Sequence, residues 1–282
     1  MRILVTNDDG YLAGGLKALV ETLKPYGEVT VIAPKYHQSA TSMAVTMGLR
    51  PIAVKKLSET PGETWYYVDG TPASCVKYGI DEVFTDTLPD LVVSGINHGA
   101  NCASAALYSG TLGAAQEAAL AGVPAIGVSL DNMSPAADFT VTKRLFPALF
   151  EKLLPALSDR FGVYYNINFP DLPEDEIRGV RVTRQGIVHW LKEFEPYDYD
   201  IFSKLGTTPQ KMGIAKMPEV ESGETVYIMK GQLINDPRNS EDADHILLKQ
   251  GYITVEAHNI ITTDTAETAR LRALGFDKDF KA

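Results

Sequence analysis

The chain has 282 residues and a formal net charge of −10, with a sequence pI near 5.0. Such an acidic balance disfavours non-specific attraction to nucleic-acid polymers or an anionic membrane surface, and it leaves small phosphorylated ligands open only if positive charge is supplied locally. The length suits one α/β domain with an elaboration, and no long apolar segment precedes Asp8 or marks a membrane span later, so a cytoplasmic protein is expected.

The first element is the aliphatic run Ile3-Leu4-Val5, which lacks polar alternation and therefore suits a strand buried on both faces of a parallel sheet. It ends at Asn7-Asp8-Asp9-Gly10. Neighbouring residues on a strand point to opposite faces, so Asp8 and Asp9 converge only if the chain turns there, which Gly10 permits. Two anions held together repel unless a cation lies between them, and ligands of open α/β sheets bind beyond the strands' carboxyl ends. A divalent metal is one reading of the pair. The plainer one is that both acids solvate a loop or cap the next helix.

Leu16, Leu19, Val20 and Leu23 fall at helical spacing, with an end near Pro25 and Gly27, and residues 28–33 (EVTVIA) form a second strand. The β-α-β order implies a parallel sheet. A hydroxyl-rich loop follows, in which Ser39 reaches the same rim as Asp8 or serves only a local turn. Trp65-Tyr66-Tyr67-Val68 predicts another strand. Thr71 then caps a helix that has Pro72 at its first position and Val76, Ile80, Val83 and Phe84 on its inner face.

Residues 91–101 (LVVSGINHGAN) predict a strand and a Gly/Asn loop, followed by a helix rich in small residues that opens at Ser109-Gly110-Thr111. Asn97 and Asn101 offer neutral amide groups on the loop. The free N–H groups and positive end of that helix favour an anion such as phosphate, unless its glycines serve only close packing. His37 and His98 flank these residues and either is a candidate proton donor; neither has a visible orienting partner in the sequence. Residues 122–130 form a further strand. A long helix carries Phe146, Leu149, Phe150, Leu153, Leu154 and Leu157 on one stripe, with a bend or break expected at Pro147, and residues 162–170 form the next strand.

Beyond about residue 180 the β-α repetition stops. Residues 184–237 carry Trp190, Phe194, Tyr197, Tyr199 and Phe202 among prolines, glycines and charges, with 225–229 (TVYIM) as a strand, which suits a projecting arm or hairpin that makes a subunit contact. Residues 251–255 return as a strand. The tail has a capping pattern at Asp264 and Glu267 and a stop at Gly275, and a helix so short needs a partner surface. Cys75 and Cys102 lack C-x-x-C spacing and are expected to be buried free thiols.

Together, ILVTNDDG, VIAP followed by QSA-T, DGTPASCV, LVVSGINHGAN, YSGT-GAA-EA and the pattern from Asp244 to Val255 resemble the survival protein E family of metal-dependent 5'/3'-nucleotidases. The resemblance implies a Rossmann-like, mostly parallel α/β sheet with helices on both faces, a catalytic core over 1–182, and an arm, returning strand and exchanged tail over 183–282 that build a homodimer or homotetramer. It also implies that Asp8, Asp9, Ser39 and Asn97 hold one divalent cation per subunit. Asn101, Ser109, Gly110 and Thr111 would contact the substrate phosphate, with Asp8, Asp9, Asn101, Ser109 and Thr111 in catalytic positions. Ser74 departs from the acid common after Thr-Pro-Ala, and Glu256-Ala257-His258 replaces a common Thr-Pro-Leu ending. A hard oxygen donor set of this kind suits Mg²⁺ or Mn²⁺. The expected reaction is hydrolysis of nucleoside 5'- and 3'-monophosphates. The rivals are a covalent aspartyl-phosphate phosphatase, in which two acids are spaced by one residue and not adjacent as here, and a non-catalytic nucleotide-binding regulatory protein.

Overall fold

A computed structural model describes residues 1–209, 217–229 and 231–277. The chain runs β1 (Arg2–Thr6), α1 (Gly14–Leu23), β2 (Glu28–Pro34), β3 (Val54–Thr60), β4 (Glu63–Val68), α2 (Pro72–Tyr78), β5 (Leu91–His98), α3 (Gly110–Leu120), β6 (Ala125–Leu130), α4 (Thr140–Leu153) and β7 (Val163–Phe169). It continues through β8 (Gly179–Val182), β9 (Val188–Leu191), β10 (Phe194–Pro196), α5 (Ile201–Lys204), β11 (Tyr227–Met229), β12 (Gln232–Asn235), α6 (Asp244–Lys249), β13 (Tyr252–Asn259) and α7 (Thr265–Ala273).

Nine strands form one sheet in the order β3-β4-β2-β1-β5-β6-β7-β13-β8. From β4 to β7 every pairing is parallel, and β3 and β13 run antiparallel to their neighbours β4 and β7. Chain order reverses at β1, which has β2 on one side and β5 on the other. That reversal opens a crevice outside the carboxyl ends of β1 and β5, the place where ligands of open α/β sheets bind.

The period of two in β1 explains the two cores. Ile3 and Val5 face one layer with Leu16, Leu19 and Leu23 of α1 and Phe146 and Phe150 of α4. Leu4 faces the other, with Val76 of α2 and Leu112, Ala114, Ala115 and Ala118 of α3. The small side chains of α3 let it approach the sheet and the loop after β2: a Cβ at Gly113 would lie 2.0 Å from the Ser42 carbonyl oxygen. α4 runs unbroken from Thr140 to Leu153 with Pro147 inside it, so the bend or break expected at that proline is not a break in the helix. Cys75 and Cys102 are buried and free.

β3 was not foreseen. Its sequence VKKLSET is exposed at six of seven positions, so it lacks the apolar pattern of its neighbours, and as an edge strand it needs only β4 for pairing. From residue 183 the chain leaves the sheet, forms two antiparallel ribbons, β9 with β12 and β10 with β11, and returns as α6 and β13. Phe194, Tyr199 and Tyr227 of this excursion are exposed. α7 is capped by Asp264, whose side chain accepts from the Glu267 N–H, and it buries none of its residues. Among the described residues no helix is long and apolar enough to cross a membrane.

Candidate active site

The turn after β1 is tied by Asn7, which is fully buried. Its Nδ2 donates to the Gly10 carbonyl (3.1 Å) and its Oδ1 accepts from the Gly10 N–H (3.2 Å), while Gly10 takes a φ of +100° that suits glycine. This knot holds Asp8 and Asp9 at the strand's end. Asp8 is only 3% exposed. Its Oδ1 accepts from the Thr111 hydroxyl at 2.6 Å, and its carbonyl accepts from the Gln38 N–H at 2.7 Å. Burial, reinforced by the charge of Asp9 and opposed by the hydrogen bonds from Thr111, pushes the Asp8 carboxyl up to about 7.

Asp9 faces histidines. Its Oδ2 accepts from the His98 N–H (3.1 Å) and lies 2.9 Å from His98 Nδ1, and its other oxygen is 3.5 Å from His37 Nδ1. Burial holds His37 below the usual imidazole range and His98 adds to this, while Asp9 opposes it. The orienting partner that neither histidine has in the sequence is therefore Asp9, 89 residues away from His98. His98 is fixed from its other side by an edge-to-face contact with Phe139.

The N-terminus of α3 abuts these acids. A Cβ at Gly110 would fall 2.8 Å from Asp8 Cβ and 3.0 Å from the Gln38 carbonyl oxygen, so only glycine lets the helix end come this close. Ser109 is the cap, its Oγ accepting from the Leu112 N–H at 3.0 Å. Sequence reasoning gives this positive helix end to a phosphate. In the fold the Thr111 hydroxyl is engaged by Asp8, because a carboxylate buried beside a second acid needs the nearest donors.

Asn97 is buried at the end of β5, where the register with β6 shifts between Ser94 and Asn97. Its Nδ2 donates to the Gly99 carbonyl at 2.7 Å, which leaves the amide oxygen as the unengaged end. Ser39 is exposed, one residue past the Gln38 whose N–H holds the Asp8 carbonyl. Asn101 sits on a buried polar network absent from the sequence reading. Its N–H donates to Asn168 Oδ1 (2.7 Å), its carbonyl accepts from Asn166 (2.8 Å) and Asn168 (3.3 Å), and its side-chain amide donates to Ser129 Oγ (2.8 Å). The available signal was the alternation Asn166-Ile167-Asn168 in an otherwise apolar strand, which sets two amides on one face of β7.

The residues present suit a hard divalent cation. Asp8 and Asp9 have no Lys or Arg partner among the described residues, and burial together with the charge of Asp9 raises the Asp8 carboxyl. No three His, Cys, Asp or Glu among the described residues form a metal-holding cluster, so a cation here must draw on hydroxyl and amide oxygens as well as the two acids. Such a set matches Mg²⁺ or Mn²⁺ better than zinc.

Residues 3–192 match the model of the family described as Survival protein SurE. The chain is 37% identical over 257 residues to the 5'-nucleotidase SurE of Christiangramia forsetii, covering 90% of this chain and 88% of that one. It is 40% identical over 261 residues to the 5'-nucleotidase SurE of Desulfitobacterium hafniense, covering 89% and 95%. The crystal structure of the SurE protein from Aquifex aeolicus superposes with a TM-score of 0.75 at 27% identity, covering 97% of this chain and 99% of that one. The mostly parallel sheet, the motif-bearing strand ends and these matches establish that the chain belongs to the survival protein SurE family.

Proposed function

We propose that the chain is a 5'-nucleotidase that hydrolyses nucleoside 5'-monophosphates, and 3'-monophosphates as well, with one Mg²⁺ or Mn²⁺ per subunit held by Asp8, Asp9, Ser39 and Asn97. The names of its curated relatives support the enzyme class. The observation that carries the reading is the pair of acids at the end of β1, without a Lys or Arg partner among the described residues, with the N-terminus of α3 against one of them.

When bound, the cation supplies the positive charge that these loops lack and acidifies a water. The chain's own groups do the rest. Asn101, Ser109, Gly110 and Thr111 donate to phosphoryl oxygens, oriented by the network beneath Asn101 and by the cap at Ser109. Asp9 fixes the ring of His98 at the rim, and the buried Asn7 knot prevents the two acids from separating. Residues 1–182 would form the catalytic core. Residues 183–282 would supply the arm, the returning strand and an oligomer contact through α7, where Leu271 and, just past the helix, Leu274 are exposed.

A panel of nucleoside 5'- and 3'-monophosphates, assayed with Mn²⁺ or Mg²⁺ and with chelator, tests this. Turnover that chelator abolishes and Mn²⁺ restores is the expected result; tight binding without turnover would make the chain a nucleotide-binding protein instead.

A further inference from the structure

The loop from Asn101 to Ser109 carries two of the four proposed phosphate donors, one at each end, yet no strand pairing holds its middle. Ala103, the first residue of its 3-10 turn Ala103–Tyr108, has a φ of +51°, a conformation that a non-glycine residue keeps only where its surroundings hold it. The holding group comes from the far end of the chain. Asp244, at the start of α6, is 0% exposed. Its Oδ2 accepts from the Ala103 N–H at 2.7 Å, and its Oδ1 accepts from the Gly186 N–H at 2.9 Å and from the His245 N–H at 2.8 Å.

The same carboxylate therefore clamps the loop and the base of the arm. Two further contacts join these parts: the Val188 N–H donates to Ser104 Oγ at 3.1 Å, and the rings of Tyr108 and Trp190 meet edge to face at 5.9 Å. Gly186 is a close approach, since a Cβ there would lie 2.3 Å from His245 Nδ1 and 3.1 Å from Asp244 Oδ1.

We propose that Asp244 is a positioning residue of the phosphate site: through Ala103 it sets the loop whose ends place Asn101 and Ser109, and through Gly186 it makes that setting depend on the seating of the arm. The inference rests on the phosphate-binding reading of that loop. It is separable from metal binding, which uses Asp8, Asp9, Ser39 and Asn97 and touches Asp244 nowhere.

The test compares Asp244→Asn with wild type in the full-length protein. The substitution keeps the shape but turns an amide NH₂ toward an N–H that needs an acceptor. The expected result is that KM for AMP and the competitive Ki of inorganic phosphate both rise at least about tenfold, since small displacements of positioning groups carry large costs. Mn²⁺ affinity by calorimetry stays at the wild-type value. Gly186→Ala leaves the charge and crowds the carboxylate, so it shifts Ki the same way by less; it decides the matter alone if Asp244→Asn does not fold. Asp242→Asn, an exposed acid of the same segment paired with Arg184 at 3.1 Å, leaves KM and Ki unchanged. A wild-type Ki in both Asp244→Asn and Gly186→Ala overturns the proposal, as does loss of Mn²⁺ and phosphate binding together in either, which would mark general damage. Failure of the underlying reading is visible separately, as wild-type protein that does not hydrolyse AMP, and the proposal falls with it.

Discussion

The rim of the parallel sheet and the arm that leaves it solve the problem of placing an acid in opposite ways. Asp8 on the rim is buried beside a second acid, and its carboxyl is pushed up to about 7. Asp236 beside β12 is covered by Arg238 and His189, which are themselves largely in solvent, and their hydrogen bonds hold its carboxyl well below the usual carboxylate range. Arg238 reaches it through both Nε and Nη2 at 2.8 Å, and His189 Nε2 lies at 2.6 Å. The arm thus pairs its acid with cationic side chains, whereas Asp8 on the rim has no Lys or Arg partner among the described residues.

The contrast can be strained from the core side first. Phe150, fully buried in α4 against Phe146 and Tyr26, is expected to cost about 3–5 kcal/mol of stability when cut to alanine, from lost transfer energy and a residual cavity; equilibrium denaturation reads this directly. Asp8→Asn separates activity from stability. Turnover of AMP is expected to fall by roughly 10²–10³-fold, the scale for removing one preorganised electrostatic group. The melting temperature measured in chelator is not expected to fall, because the amide oxygen still accepts from Thr111 and no buried charge remains. A drop in both would show that Asp8 is needed for the fold.

Asp236 supplies the pH test. Its folded-state pKa lies below the unfolded one, so its stabilising effect is present above the unfolded carboxylate value of about 3.9 and is lost as pH falls through the folded value. Urea midpoints for wild type and Asp236→Asn should therefore differ at pH 6 and converge in strong acid, and a constant gap would refute the ion-pair account. The smallest effect is expected at Phe194 of β10, 65% exposed, where alanine should change monomer stability by no more than about 0.5 kcal/mol. Any larger change that depends on protein concentration would expose a subunit contact on this arm.

The parts of the fold that sequence reveals are those in which one physical demand acts alone. β1 and the opening Leu91-Val92-Val93 of β5 are apolar runs because both faces are covered, and Thr71 with Pro72 opens α2 as capping chemistry dictates, the threonine accepting from the Ser74 N–H. β3 escaped because an exposed edge strand imposes no pattern, and β10 and β12 of the arm escaped for the same reason, whereas β11 falls in the run 225–229 (TVYIM) that reads as a strand. At the site, the residue types at strand ends were legible, and so was the cap at Ser109. Their mutual geometry was not. That His98 answers Asp9, that Thr111 serves Asp8, and that Asn166 and Asn168 underpin Asn101 are all consequences of sheet order, since each pair is far apart in the chain and adjacent only once β1, β5, β6 and β7 lie side by side.

The bond from the Ala103 N–H to Asp244 spans 141 residues, so on the ribosome the two ends are made roughly seven to thirty seconds apart at ordinary elongation rates. A nascent chain can stack its first strands and display both acids of β1 long before that anchor exists. On the positioning role proposed for Asp244, a chain still lacking its C-terminal stretch would hold the phosphate loop without that anchor and grip nucleotide more weakly than the finished protein.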